Sequence, residues 1–366
     1  TQYFIDMDVR GHIIGVLWLL LIGWRLDKGV YEHSYGNRIR KKLINDFSKN
    51  VTFSPNLFEP YYVLYESWRD TALSCARKSL DKSQDVMILT MDFSRFYYSL
   101  DMTRDSFKCF FELIEENIQS EPLYKELHFF IYEIIERYSE KLGKLFDGRK
   151  VLPIGFLPSN VLANCYLSKF DKAVIDDLNP MYYGRYVDDI LIVEKIEKNS
   201  RIYKEAMDQR LNEENAIKYF FGRCINWDKH DLRQEKDQKE VEHIDQQRRP
   251  ILTCHKDKDN NNIYKVDRYY YIDEKSKTEI KVKNQKVKIF HFSSAESDAL
   301  LNCFIEHLRK NKSEFRYMPE CDAVFEEDNY NEIYCLKGKD GVRKLGDAEG
   351  VSIDKYALSK FLGKYM

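Results

Sequence analysis

Hydrophobic and polar positions divide the chain into a helical N-terminal part, a strand-bearing centre and a charged C-terminal part. The run Ile13 to Trp24 (IIGVLWLLLIGW) is continuously apolar. It falls short of the ~20 residues that cross a bilayer. Asp6 and Asp8 precede it and no small-residue cleavage site follows, so it reads as a buried helix and not as a span or signal peptide. SYGNRIRKKL then turns into a basic helix, where Arg38, Arg40, Lys41, Lys42 and Lys49 face only Asp46 in opposite charge. Val86–Asp92 (VMILTMD) is short, apolar and bounded by polar residues, the pattern of a buried central strand. Helical periodicity returns from Thr103 to about Leu142, with Thr103 and Asp105 at the start and Gly143 at the end. Ser159 opens another apolar helix, and MYYGRYVDDILIVEK has two apolar stretches around Val187, Asp188 and Asp189. That is a β-hairpin with acids at its tip, Ile190–Val193 forming its second strand.

Beyond this, residues 196–249 are charged and predicted helical, with balanced charge on a solvated face. Residues 263–292 alternate like strands and end in VKIFHF, and 293–366 carry two amphipathic helices. The chain starts at Thr1 and stops within a helical pattern, so further sequence is expected at both ends.

Composition narrows the classes. Charged residues at 32% and hydrophobic ones at 43% give a globular balance, and 15 Gly with 8 Pro exclude collagen-like chains. Lys plus Arg (58) against Asp plus Glu (60) leaves a net charge of −2, with no overall basic signature for nucleic acid. Any such contact must come from local segments such as 37–50 and 281–288. The 8 cysteines are scattered without a CxxC pair, the pattern of reduced, intracellular thiols. Cys303 and His307 are spaced as a helical pair but lack a second pair, which favours packing over zinc.

Three acids stand out by position: Asp92 ends an apolar strand, and Asp188 and Asp189 sit at the hairpin tip. If those strands are neighbours, the carboxylates converge and repel, which divalent cations resolve. Such a constellation suits metal-dependent nucleotidyl transfer.

MDFSRFYYSLD, LPIGFLPSNVLANCYLSKFD and YGRYVDDILIV, in this order, resemble the three central palm motifs of reverse transcriptases. The lead-in DVRGHIIGVLWLLLIG, the late KVKIFHF and the segment SEFRYMPE are similar to the bacterial abortive-infection and defence-associated ("unknown group") branch. The resemblance covers most of the chain. It implies an α+β fold, the right-hand polymerase architecture. Residues 1–85 would form helical fingers and 86–195 the palm core, with finger helices at 103–142. Residues 196–292 would complete the palm through a charged stretch and a primer-grip-like hairpin, and 293–366 would form a helical thumb-like region.

The resemblance also implies roles. Asp92, Asp188 and Asp189 would be catalytic and, with the Phe93 carbonyl, would hold two Mg²⁺ ions, Mn²⁺ being the substitute. The primer 3′-hydroxyl would attack the α-phosphate of a dNTP and pyrophosphate would leave. Tyr97 matches the sugar-selecting aromatic; Phe96 beside it and Phe93 would also bind the nucleotide; Gly155 would admit the template–nucleotide pair; and Ile154 stands where many relatives carry Gln. Arg38 and Arg40 are the candidates for the triphosphate. Tyr186, Ser159, Phe290 and Lys286 are expected at the primer and template, with Lys281, Lys283, Lys286 and Lys288 at a spacing near two along one face. For a general acid, Lys218 and Lys229 are both open.

Three functions compete. The first is an RNA-directed DNA polymerase in bacterial anti-phage defence, working in the cytoplasm with a noncoding RNA. The second is a template-independent or protein-primed DNA polymerase, and the third an RNA-binding assembly subunit with a vestigial palm. Expected partners are an RNA template, a DNA product and either a second copy of the chain or a sister polymerase subunit, with no membrane.

Overall fold

The computed structural model describes residues 2–40, 57–198, 200–207, 213–227, 249–258 and 261–294. The chain divides into two compact units, Thr1–Ile39 with Ser67–Ser297 and Arg40–Glu66 with Asp298–Met366. The predicted amphipathic helices of 293–366, the Cys303–His307 pair, Lys229 and the basic residues Lys41, Lys42 and Lys49 lie outside the described residues.

In the first unit, Asp8 caps α1 (Val9–Trp18) by accepting the Arg10 N–H at 2.9 Å. A π turn at Leu19–Gly23 passes it into α2 (Trp24–Lys28). The resulting run Val9–Lys28 is longer than its apolar stretch implied: its 20 residues are by length and composition enough to cross a membrane. Its Trp18, Leu19, Ile22 and Leu26 are nevertheless buried, packed toward later helices of the unit. The next helix, α3 (Tyr61–Leu80), buries Trp68, Ala72, Leu73, Ala76 and Leu80.

β1 (Asp85–Asp92) is the predicted central strand, with Val86, Met87, Ile88 and Leu89 fully buried. Each such side chain contributes on the order of 1.5–3 kcal/mol. After the short α4 (Phe96–Ser99), the helix expected over 103–142 is three: α5 (Arg104–Glu112), α6 (Glu116–Gln119) and α7 (Pro122–Leu142). Pro122 explains the start of α7, since proline is tolerated in a first helical turn and not in an interior. Thr103 does start α5, its hydroxyl accepting from Ser106 N–H at 2.9 Å. Gly143 ends α7 at φ 62°, a conformation that costs glycine nothing.

α8 (Leu157–Tyr166) and α9 (Ser168–Ala173) lead to the hairpin β2 (Tyr182–Tyr186) and β3 (Asp189–Ile196). α1 and α2 pack on α8, and α1 also packs on α7. The charged stretch forms α10 (Arg201–Met207) and α11 (Glu213–Phe221), then a strand, β4 (Ile225–Trp227), where helix was expected. β5 (Leu252–Lys256), β6 (Asn262–Val266) and β7 (Lys288–Phe292) follow.

The main sheet has the order β2-β3-β1-β7, all antiparallel, and a small sheet has the order β4-β5-β6. Residues 280–283 join them. Val282 N–H donates to Tyr264 O at 2.9 Å on the β6 side, and Ser94 N–H donates to Lys281 O at 2.8 Å on the β1 side.

In the second unit, Arg40 N–H donates to Leu57 O at 3.0 Å and the guanidinium pairs with Glu59 at 3.8 Å.

Candidate active site

β1 and β3 run side by side in a register that makes Asp92 and Asp189 direct partners. Asp188 precedes Asp189 in the two-residue turn of the hairpin, and its carbonyl accepts the Phe93 N–H at 3.3 Å. The three predicted acids therefore stand together at one end of the main sheet. Burial pushes the Asp188 carboxyl well above the usual carboxylate range, and the charges of Asp189 and then Asp92 push it further. Phe93 and Val282 form an isolated antiparallel bridge whose hydrogen bonds use the Asp92 carbonyl and the Ser94 N–H. By strand alternation the Phe93 carbonyl faces the other way, toward Asp188.

This is an all-oxygen donor set of like charge, which fits a hard divalent cation. Among the described residues, however, no three His, Cys, Asp or Glu side chains already stand in ion-holding geometry. Asp92 is only 4% exposed and pairs with the ammonium of Lys286. Burial works against the charge of Lys286, but its bond to Asp92 and the charges of Asp92, Asp189 and Asp188 outweigh it and raise the ammonium's pKa. The Lys286 ammonium thus lies against the negative charge of the three acids.

The turn itself is strained. Val187 adopts φ 58°, a region that costs a β-branched residue about 1–3 kcal/mol. Surrounding contacts hold it. Arg185 Nη1 donates to the Val187 carbonyl at 2.7 Å. On the other side, a methyl group at Gly36 would stand 2.5 Å from Val187 Cγ2, so only glycine fits there. The Gly36 loop is fastened along β2, with Arg185 N–H donating to His33 O at 2.9 Å and Tyr35 N–H donating to Arg185 O at 2.7 Å.

Tyr97 lies near these acids. Burial first and then the Asp188 charge raise its phenol, while Asn37 bonds to it. Its hydroxyl donates to Asn160 Oδ1 at 2.9 Å, which fixes the ring. Phe96 differs from its expected nucleotide role: it is buried, packed on Phe93 with ring centroids 6.0 Å apart. Gly155 is exposed with φ 86°, but its open side meets Phe4, whose ring would stand 3.6 Å from an added methyl group. Ile5 N–H donates to Ile154 O at 2.9 Å, so the N-terminal segment lies along this loop.

Several expected contact residues serve the fold instead. Arg38 gives four of its five guanidinium hydrogens to Asp27, at 2.9 Å, and to the carbonyls of Asp27, Tyr31 and Ser34, which holds it to the fold and away from a two-pronged grip on a triphosphate. Arg40 belongs to the second unit and pairs with Glu59. Ser159 is fully buried and its hydroxyl finds no partner among the described residues. Tyr186 is buried with its ring 6.1 Å from Trp68. Phe290 sits in β7 opposite Ile88, half-buried in the sheet. The lysines at 281–288 do not share one strand face, because a 3-10 turn at Asn284–Lys286 interrupts them. That turn sends Lys286 to Asp92, while Lys281 pairs with Glu279 at 2.8 Å. Lys218 lies on α11.

Arg185, Asp171 and Asn160 were not singled out by sequence reasoning, though all three lie inside the motifs. Arg185 carried a usable signal: an arginine within an apolar strand must find a buried acid.

The family model described as reverse transcriptase (RNA-dependent DNA polymerase) matches residues 36–319, more than half of the chain. No curated protein matches it.

Proposed function

The chain belongs to the reverse transcriptase family, and from that premise we propose a defence-associated bacterial enzyme that copies RNA into DNA with two Mg²⁺ ions. As a member it is a nucleotidyltransferase with the polymerase palm fold, an RNA-directed DNA polymerase that binds a nucleic-acid template and product. The observation that carries the mechanism is the convergence of Asp92, Asp188 and Asp189 across β1 and the hairpin.

Asp92, Asp188 and Asp189, with the Phe93 carbonyl, would hold the ions. Bound there, the ions supply charge neutralisation at the attacking and leaving oxygens of phosphoryl transfer. The protein's own work is positional. The β1–β3 register fixes Asp92 against Asp189, and the Arg185 and Gly36 contacts fix the turn that carries Asp188. Tyr97, anchored by Asn160, presents its ring to the sugar and closes the space of a 2′-hydroxyl. Lys286 keeps Asp92 paired until cations arrive. In this reading the fingers, palm and thumb follow the right-hand order, a noncoding RNA is the partner, and the bacterial cytoplasm is the site of action.

One observation favours a second reading, untemplated or protein-primed addition. Phe4 rests against Gly155, the residue that the first reading needs open to the template–nucleotide pair. Incubation with labelled dNTPs, with and without an RNA template and a DNA primer, separates the two. Template-dictated incorporation supports the first. Label that runs with the protein, stays there under nuclease inhibition and needs no template supports the second.

A further inference from the structure

Arg185 and Asp171 form an ion pair with both side chains 0% exposed. Nε donates to Asp171 Oδ1 at 2.9 Å and Nη2 to Oδ2 at 2.7 Å, a two-pronged pairing between β2 and α9. Nη1 donates to Asn164 Oδ1 at 3.1 Å and Nη2 to the Asn164 carbonyl at 3.1 Å, which adds α8. The remaining hydrogen, on Nη1, goes to the Val187 carbonyl at 2.7 Å. All five guanidinium hydrogens are thus engaged, and one holds the turn that carries Asp188. Asn164 also donates from Nδ2 to the Gly36 carbonyl at 2.6 Å. The same network therefore fixes the glycine loop pressed against Val187 from the opposite side.

A fully buried ion pair is a poor way to gain stability, because desolvation offsets the attraction. Apolar side chains of similar size could fill the space between β2 and α9, at the cost of the Tyr183 hydroxyl that also donates to Asp171 Oδ1. They could not hold a carbonyl. Val187 at φ 58° needs such a hold, since the turn does not keep a β-branched residue there unaided. We propose that Arg185, locked by Asp171 and Asn164, is the positioning residue of the active site. It fixes the Val187 carbonyl and through it sets the Asp188 and Asp189 carboxylates for cation binding. The inference rests on the polymerase reading for its kinetic consequence, but its cation-binding consequence is independent of polymerisation.

The test replaces the pair with apolar residues, Arg185→Met together with Asp171→Leu, in the full chain. Thermal midpoint, Mn²⁺ binding by electron paramagnetic resonance, and kcat and KM for dNTP incorporation are measured beside the wild type. The expected result is a folded protein with a lowered midpoint, because the Tyr183 hydroxyl and the Asn164 and Val187 oxygens lose partners, together with Mn²⁺ affinity lowered at least tenfold, kcat lowered at least a hundredfold and KM for dNTP within threefold. Arg185→Lys should not restore Mn²⁺ affinity, because an ammonium cannot serve the pair, Asn164 and Val187 at once. Should the double variant fail to fold, Asn164→Ala, which leaves the ion pair in place, is predicted to weaken Mn²⁺ binding with the midpoint largely kept. A folded double variant, or a folded Asn164→Ala variant, with wild-type Mn²⁺ affinity overturns the proposal. Absence of incorporation by the wild type counts against the polymerase reading alone, because the Mn²⁺ comparison still stands.

Discussion

Asp92 on β1 and Asp189 on β3 are direct cross-strand partners. Two like charges placed opposite each other weaken a sheet. Asp188 joins them from the turn, where burial first and then the charges of Asp189 and Asp92 raise its pKa. Nothing in the packing of β1 asks for this, since Val86 to Leu89 already bury the strand on both faces. In the proposed mechanism the arrangement is an ion-binding site whose cost is met when cations bind.

Lys286 pairs with Asp92, so in the proposed mechanism it competes with the cations there. Lys286→Met should therefore lower the Mg²⁺ concentration for half-maximal activity, by about threefold or more, because the ions no longer displace an ammonium. Titrating Mg²⁺ against incorporation checks this. If the lysine instead grips the primer, the variant leaves Mg²⁺ dependence unchanged and raises KM for primer.

Gly36 has no room for a side chain, since Val187 Cγ2 and the Val187 backbone nitrogen would lie 2.5 and 2.8 Å from an added methyl group. The backbone atom cannot swing aside, so Gly36→Ala must displace the turn. Overpacking of this kind costs about 1–3 kcal/mol. The expected outcome is a lowered thermal midpoint with incorporation reduced at least tenfold, measured by differential scanning fluorimetry and primer extension.

His128 is buried in α7, where its Nδ1 accepts from Trp18 Nε1–H at 3.1 Å and its Nε2–H donates to Phe107 O at 2.8 Å. Burial pushes its pKa down to about 4. The unfolded chain binds this proton first as pH falls, so the stability is complete above about 6.5 and is lost between about 6.5 and 4. The loss attributable to His128 reaches up to about 3 kcal/mol at the lower end. Urea unfolding at pH 7 and pH 4.5 should show a smaller pH effect in His128→Gln than in the wild type.

Tyr97 and Asn160 act as a pair through their 2.9 Å hydrogen bond. Tyr97→Val should reduce the preference for dNTP over NTP at least tenfold, and Asn160→Ala should reduce it by a smaller factor with the ring still present. Competitive incorporation of matched dNTP and NTP measures both. Unchanged discrimination in Tyr97→Val would remove the ring from sugar selection.

Much of this site was legible from local pattern. Val86–Asp92 and the two apolar stretches around Val187 could only be short buried strands, and strand ends at Asp92 and Asp188 gave the convergence. The caps at Thr103 and Gly143 were also readable, because each acts within a few residues of itself. What could not be read depends on partners far along the chain. Arg38 has the chemistry of a phosphate ligand, but Asp27 and three carbonyls claim it. The lysine spacing at 281–288 suits a strand face, but Asn284–Lys286 turns because residues 281–283 must bridge β6 to the end of β1. Phe96 and Tyr186 carry rings suited to stacking, yet the core takes them.

The central claim, that Asp92, Asp188 and Asp189 form the catalytic centre of a reverse transcriptase, is tested most directly by one comparison. Wild type and Asp188→Asn are assayed for dNMP incorporation on an RNA template with Mg²⁺, each with its thermal midpoint recorded. The account predicts template-dependent extension by the wild type, and a loss of at least a thousandfold in Asp188→Asn with the midpoint unchanged or raised. Extension by the variant at the wild-type rate would contradict it.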